Sequence, residues 1–478
     1  MPTYTITPQD ILFFRDGRPM TADAGSGGHG ARWPEPSILF DALHAALHRA
    51  FPAKTREEFQ TWEHSHFYGR NGRRPERSDN SKRMQRFGSL VTAGPFPVFN
   101  GSWYFPCPAD VNRRLTTSPA LHPLKGKRGA SDLPPPAIHP VVSLLEPDKE
   151  GPHPWWNKHA IEKYLGAKTT GGPQHLPEEE FFGSEWNTGI AIDPATQTTG
   201  HGGAKGQIYS AQYLRLREGV ALGLHAQMPT KVGNAESFLE ALKHLFPANR
   251  VLICGGQQRA CKVEEASENR LDRFMPRSVE VKGQRVKWML LTPAVYPTIT
   301  ATDNEGQLKQ DHDGRNLSAH PGGWLPSWID PSTGRVLLKK GDTRRSTPSR
   351  EAWRKQIQTL AAFDCRLVAA RIPKPIILTG WSERLHLLGD PLEQNADRKS
   401  KGARGTCLAV PAGAVYYFEG PDAPALAHAL SWHGSAQENP ACDRIVNRRS
   451  ALLGEKGFGL GVCGAWEFFE DTAGRSAS

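Results

Sequence analysis

Gly413-Ala414-Val415-Tyr416-Tyr417-Phe418-Glu419 reads as a strand, and Pro421 to Trp432 follows it as a short helix carrying Leu426 and Leu430. Val462 to Phe469 then closes the chain as a further strand. Working back toward the N-terminus, Arg350 to Phe363 is a helix with Trp353, Ile357 and Leu360 on one face. Val286 to Thr292 before it is a strand. Leu367 to Arg371 and Ile376 to Thr379 are strands split by Pro373 and Pro375. Counting the split pair as one, the second half runs strand, helix, strand, strand, helix, strand.

The first half fits the same template. Strand 4–14 is broken at Pro8, helix 37–50 is capped by Ser37, and strands follow at 188–193 and 207–226. Helix 236–246 and strand 251–254 complete it, with the charged stretch 262–284 as a linker. The predicted class is therefore α+β: two tandem ferredoxin-like (RRM-like) domains, residues 1–270 and 271–478, with long insertions and a protruding β-hairpin. Gly189 to Asp193 and Gln207 to Leu214 form the hairpin, and its tip, Pro194 to Gly206, carries His201 and Lys205. RNA-recognition domains reuse this fold, but so do unrelated proteins, so the fold alone does not assign a function.

Composition narrows the classes. The 478 residues hold 59 Lys+Arg against 49 Asp+Glu, a formal charge of +10. That excess favours an acidic partner, nucleic acid before membrane. With 39 prolines and 47 glycines, much of the length is expected in loops. Seven scattered cysteines without a C-x-x-C pair fit reduced thiols in the cytoplasm and argue against a zinc ribbon. No apolar run approaches a membrane span.

Gly457-Phe458-Gly459-Leu460-Gly461-Val462-Cys463-Gly464 follows Lys456, and glycines behind a basic residue suggest a phosphate cradle. Gly459-x-Gly461-x-x-Gly464 fits the dinucleotide fingerprint in spacing, but only fourteen residues remain after it, too few for the helix and downstream acid that fingerprint requires. Plain turn geometry is the other reading of this loop. Asp41, His44 and His48 lie at metal-ligand spacing on helix 37–50, yet no Glu completes H-E-x-x-H, and a solvated polar face is expected. No metal, cofactor or catalytic group is assigned.

Leu12-Phe13-Phe14-Arg15-Asp16-Gly17-Arg18-Pro19, followed by Trp33-Pro34-Glu35-Pro36-Ser37, resembles the CRISPR RAMP proteins, and most closely the third subunit of the type III-B Cmr module. Gly189 to Asp193 with Tyr209, Leu290 to Ala294, Val410 to Tyr416 and the glycine loop resemble further blocks of that family. Segments 54–86, 106–186 and 300–348 look like extra length.

The resemblance implies a non-catalytic subunit that holds the 5′ tag of the crRNA and joins a large palm-domain subunit to a backbone RAMP subunit. Single-stranded RNA needs phosphate grips and stacked bases, and the candidates are Phe14, Arg15, Arg18, Lys205, Arg444, Arg448, Arg449, Lys456, Gly457, Phe458, Gly459 and Gly461; burial is the commoner fate of each phenylalanine, and a solvated face is the other reading of 444–449. Gly459→Asp is then expected to weaken tag binding and spare the fold. The alternative within the same family is a metal-independent RAMP endoribonuclease that processes precursor crRNA, for which His29, His44 and His48 are available.

Overall fold

The computed structural model describes residues 2–16, 27–50, 90–112, 121–125, 134–143, 146, 150–193, 195–199, 208–228, 242, 245–246, 251–266, 270–303, 307–312, 315–341, 350–379, 381–382, 402–403 and 406–470. In chain order the elements that build it are β1 (Thr3–Pro8), β2 (Gly27–Gly28), α1 (Pro36–Ala50), β3 (Val91–Phe99), β4 (Ser102–Pro106), β5 (Trp155–Asn157), α2 (Lys158–Tyr164), β6 (His175–Leu176), β7 (Phe182–Ile190), β8 (Ile208–Leu216), β9 (Val220–Gln227), β10 (Val251–Cys254), β11 (Arg259–Glu265), β12 (Arg285–Leu290), α3 (Arg350–Thr359), β13 (Arg366–Arg371), β14 (Val415–Glu419), α4 (Ala423–Leu430) and β15 (Gly461–Ala465). The architecture is mixed, mostly antiparallel sheet with few helices. No described helix is long and apolar enough to cross a membrane.

Two larger sheets divide the chain. Residues before 266 build one in the order β10-β11-β1-β9-β3-β4-β5-β6, and residues after 284 build one in the order β13-β14-β12-β15. Around β1 every pairing is antiparallel: Tyr4 faces Leu224 on one side and Glu265 on the other. The same holds around β12, where Trp288 faces Tyr416 and Cys463.

Alternation decides which face each side chain takes. On β1 and β9, Tyr4, Ile6, Leu222 and Leu224 pack against Leu39, Phe40 and Leu43 of α1. On β14, Tyr416 and Phe418 join Leu426 and Leu430 of α4 in one core. Val415 and Tyr417 turn the other way, into a core that also takes Phe96, Trp103, Trp156 and Tyr164 from the first half. Each sheet thus buries one face against helices and part of the other in a core drawn from both halves. Base stacking on an open sheet face, the usual RNA-recognition mode, has no surface in that shared core.

Several sequence expectations are corrected. The first strand ends at Pro8, and residues 11–16 leave it, with Leu12 bridging Leu214. Helix α1 begins at Pro36, so Ser37 lies inside its first turn. The stretch read as a linker contains β11, a core strand beside β1 in which Cys261 and Val263 are buried. The interior strand β3 went unread because Pro95 and Pro97 interrupt its pattern. Ile376–Leu378 does not extend β13; it pairs with Cys407–Ala409. Of the expected helix 236–246, only residues 242, 245 and 246 are described, and their side chains are buried in the first core.

Strands β7 and β8 pair from Phe182↔Leu216 to Ile190↔Ile208, a longer ribbon than the sequence indicated, and Ile192 bridges Thr199 beyond it. Beside the half of the ribbon nearer its tip, β2 adds two residues in parallel, pairing with Ser210 and Ala211. All seven cysteines are free thiols.

Candidate nucleic-acid interface

The glycine loop turns on left-handed residues: Leu453, Gly457 and Gly459 have φ of 61°, 95° and 76°. Its backbone N–H groups are engaged inside the protein. Lys456 and Phe458 donate to Leu453 O, Gly457 to Gly454 O, Gly459 to Pro293 O, and Leu460 to Thr292 Oγ1. A phosphate cradle needs those donors free and convergent, and here they close the turn. The glycines serve packing. A β-carbon on Gly457 would sit 2.9 Å from Thr92 O, one on Gly459 would run into the Ser450 backbone nitrogen, and one on Gly461 would lie 2.7 Å from Met289 O and against the Trp288 ring. The cradle expectation at Gly457, Gly459 and Gly461 is corrected to a turn seated on the first sheet.

Lys456 is pinned as well. Its Nζ lies 2.6 Å from Asp41 Oδ1 on α1 and 5.1 Å from the Phe40 ring centroid, with only 8% of its side chain exposed. It joins the loop to α1, so the expected phosphate grip is corrected here too. Phe14 and Phe458 are both buried in core clusters, which leaves neither ring a face for a base. On α1 itself, His44 is buried and stacked on Phe40, and so is not part of a solvated polar face. Among the described residues, no group of three His, Cys, Asp or Glu side chains could hold a metal ion.

The three arginines ahead of the loop part company. Arg449 donates Nε to Ala429 O at 2.8 Å and Nη2 to Asn447 Oδ1 at 3.1 Å, and burial lowers its pKa to about 10. It is a structural strut. Arg444 is exposed and donates to Glu438 O. Arg448 is half-buried, and its Nε and Nη2 reach no acceptor. Burial lowers its pKa to about 10 against the opposing pull of Glu455. Buried guanidinium nitrogens without an acceptor are costly and call for one. His225 beneath it is buried, with its pKa held down to about 3 by burial first and by the Arg448 charge among lesser causes. The seam is fixed by Gln227, whose side chain exchanges two hydrogen bonds with the Ile445 backbone at 3.0 and 3.2 Å.

Arg15 is exposed beside the ribbon, where its backbone bridges Gly30. Arg18 and Lys205 lie outside the described residues. The sequence reading missed one feature of the ribbon. Trp186, Ile190, Ile192 and Ile208 each leave about half their surface or more exposed. Residues 186, 190 and 192 share one strand face, and Ile208 stands opposite Ile190, so the four line one side. The period-2 spacing of Trp186 and Ile190 was the available signal. His29 sits edge-on against Trp186 at 5.6 Å.

Among curated proteins, none matches the chain. Distant similarity extends to chains in the cryo-EM structure "of the Type III-B Cmr-beta bound to cognate target RNA", at 13% identity over 87% of this chain and 86% of that one, with a TM-score of 0.35. The crystal structure of the "Csm3-Csm4 subcomplex in the type III-A CRISPR-Cas interference complex" holds a chain at 10% identity, covering 88% and 94%, with a TM-score of 0.32. The family model described as "CRISPR-associated protein (Cas_Cmr3)" matches residues 4–466. With nearly its whole length matched, the chain belongs to the Cas_Cmr3 family and is a type III-B RAMP-type subunit.

Proposed function

We propose that this chain is a non-catalytic subunit of a type III-B CRISPR effector, binding the 5′ tag of the crRNA and joining the large palm-domain subunit to the backbone RAMP filament in the cytoplasm. Family membership supports a place in a type III complex. The strand orders β11-β1-β9-β3 and β15-β12-β14-β13 both follow the ferredoxin-like order fourth, first, third, second, which supports two tandem RAMP units. The β7–β8 ribbon is the hairpin of such a subunit, set to wedge between RNA nucleotides with its Trp186 side.

The observation that carries the RNA reading is Arg448. Its Nε and Nη2 make no hydrogen bond where they are, so swinging the side chain outward breaks none at those two atoms and gives up only the pull of Glu455, and a phosphate supplies the missing acceptor. Arg444 and Arg15 are further exposed cations available to RNA. Of the residues first placed at this interface, Lys456, Arg449, Phe14, Phe458 and the loop glycines drop out as direct contacts. The endoribonuclease reading loses His44, which is buried on Phe40.

Fluorescence anisotropy with the tag-bearing single-stranded RNA across a salt series tests this reading. Arg448→Ala is expected to weaken binding by about 10–100-fold, the worth of a charge-assisted hydrogen bond. It should also reduce the salt slope by roughly 0.7. The thermal midpoint should not fall, because no hydrogen bond at Nε or Nη2 is lost. Unchanged affinity and slope in Arg448→Ala and Arg444→Ala together would overturn the assignment.

A further inference from the structure

Ahead of β7, the described residues of segment 106–186 take no part in the proposed RNA contact, yet they make a buried polar contact between the two halves. Asp110, at 0% exposure, accepts from Tyr164 OH at 2.7 Å and from Tyr417 OH at 2.9 Å. Lys287 Nζ lies 3.7 Å from Asp110 Oδ2 and 3.6 Å from the Tyr164 ring centroid, and its side chain is 1% exposed. Asp110 and Tyr164 come from the segment. Lys287 and Tyr417 stand directly opposite each other on β12 and β14 of the second sheet.

Backbone contacts surround this quartet. Ala109 N donates to Gly413 O at 2.8 Å, and Ile138 N and His139 N both donate to Val368 O. Gly464, opposite Lys287 on β15, leaves room for Leu165 at the end of α2, since a β-carbon there would come within 3.1 Å of it. The same segment supplies β5 and β6 to the first sheet and runs directly into β7 of the ribbon.

We propose that segment 106–186 is an internal brace, and that the Asp110–Lys287–Tyr164–Tyr417 quartet is the lock that fixes the ribbon-bearing half against the second sheet as one body. A charge pair buried among rings specifies a docking position, because a shifted interface leaves each charge unpaired. Apolar contacts alone tolerate sliding far better. The inference does not depend on RNA binding.

The test uses the full chain with Asp110→Leu, Lys287→Met and the two combined, followed by thermal unfolding and hydrogen exchange. Each single substitution leaves one buried charge without its partner and is expected to lower the thermal midpoint by roughly 5 °C or more. In each single variant, protection should fall together in 158–164 and 415–419 while β1 and α1 keep theirs. The double variant should melt above Asp110→Leu, since it no longer buries an unpaired ammonium, although the Tyr164 and Tyr417 hydroxyls stay without their acceptor. A double variant as unstable as the worse single one overturns the lock, as does loss of protection confined to the substituted strand.

Discussion

Gly459→Asp is expected to destabilise the C-terminal half strongly and not merely to weaken RNA binding. The residue has φ of +76°, where an L-residue loses roughly 1–2 kcal/mol. Its β-carbon would collide with the Ser450 backbone nitrogen and crowd Ser450 Cβ at 2.8 Å. Overpacking of this kind costs about 1–3 kcal/mol, and the carboxylate adds a buried charge, so a total loss of roughly 3–5 kcal/mol is expected. Because Gly459 N donates to Pro293 O and Arg449 N to Gly459 O, the displaced loop takes the arginine segment with it. Denaturant unfolding of the variant gives the value. A near-normal midpoint with reduced RNA affinity would restore the phosphate-cradle reading of the loop.

Trp432→Ala should cost about as much for a different reason. The indole is fully buried in the core that both halves share, and its Nε1 donates to Pro276 O at 2.7 Å. Truncating a buried Trp to Ala typically costs about 3–5 kcal/mol through lost transfer energy and the cavity left behind. The backbone here is also a junction, with Trp432 N donating to Gly461 O and Trp432 O accepting from Val446 N. Trp432→Phe keeps much of the volume and orphans only Pro276 O, so it is expected to lose about 1–3 kcal/mol. Equal losses for the two variants would show that the hydrogen bond, and not the packing, dominates this site.

The second sheet was legible because its strands follow simple rules. Val415 to Phe418 is a short apolar run with both faces buried, and α4 follows after Gly420-Pro421. The first sheet was harder. Prolines 95 and 97 mask β3, although its residues from 91 to 98 are all buried, and the charges of Lys262 and Glu264 mask the buried Cys261 and Val263 of β11. Tertiary pairing overrides local pattern in both.

The sequence offered glycines, arginines and phenylalanines as candidates, but composition cannot say which are consumed by packing. Lys456 finds Asp41 some 415 residues earlier in the chain, and no local signal marks that pairing. Arg448 and Arg449 are adjacent and chemically identical, yet one is tied to Ala429 and Asn447 while the other holds two unanswered N–H groups. The quartet around Asp110 brings together residues 110, 164, 287 and 417, a constellation that exists only once the two halves meet.

The proposed function makes this chain an RNA-holding, non-catalytic member of a type III-B assembly. Sequencing the RNA and identifying the proteins that co-purify with the chain from its native cells tests it most directly. The expected result is a population of short RNAs sharing one 5′ sequence, together with a large palm-domain protein and backbone RAMP subunits. A homogeneous RNA-free monomer from the same cells would contradict it.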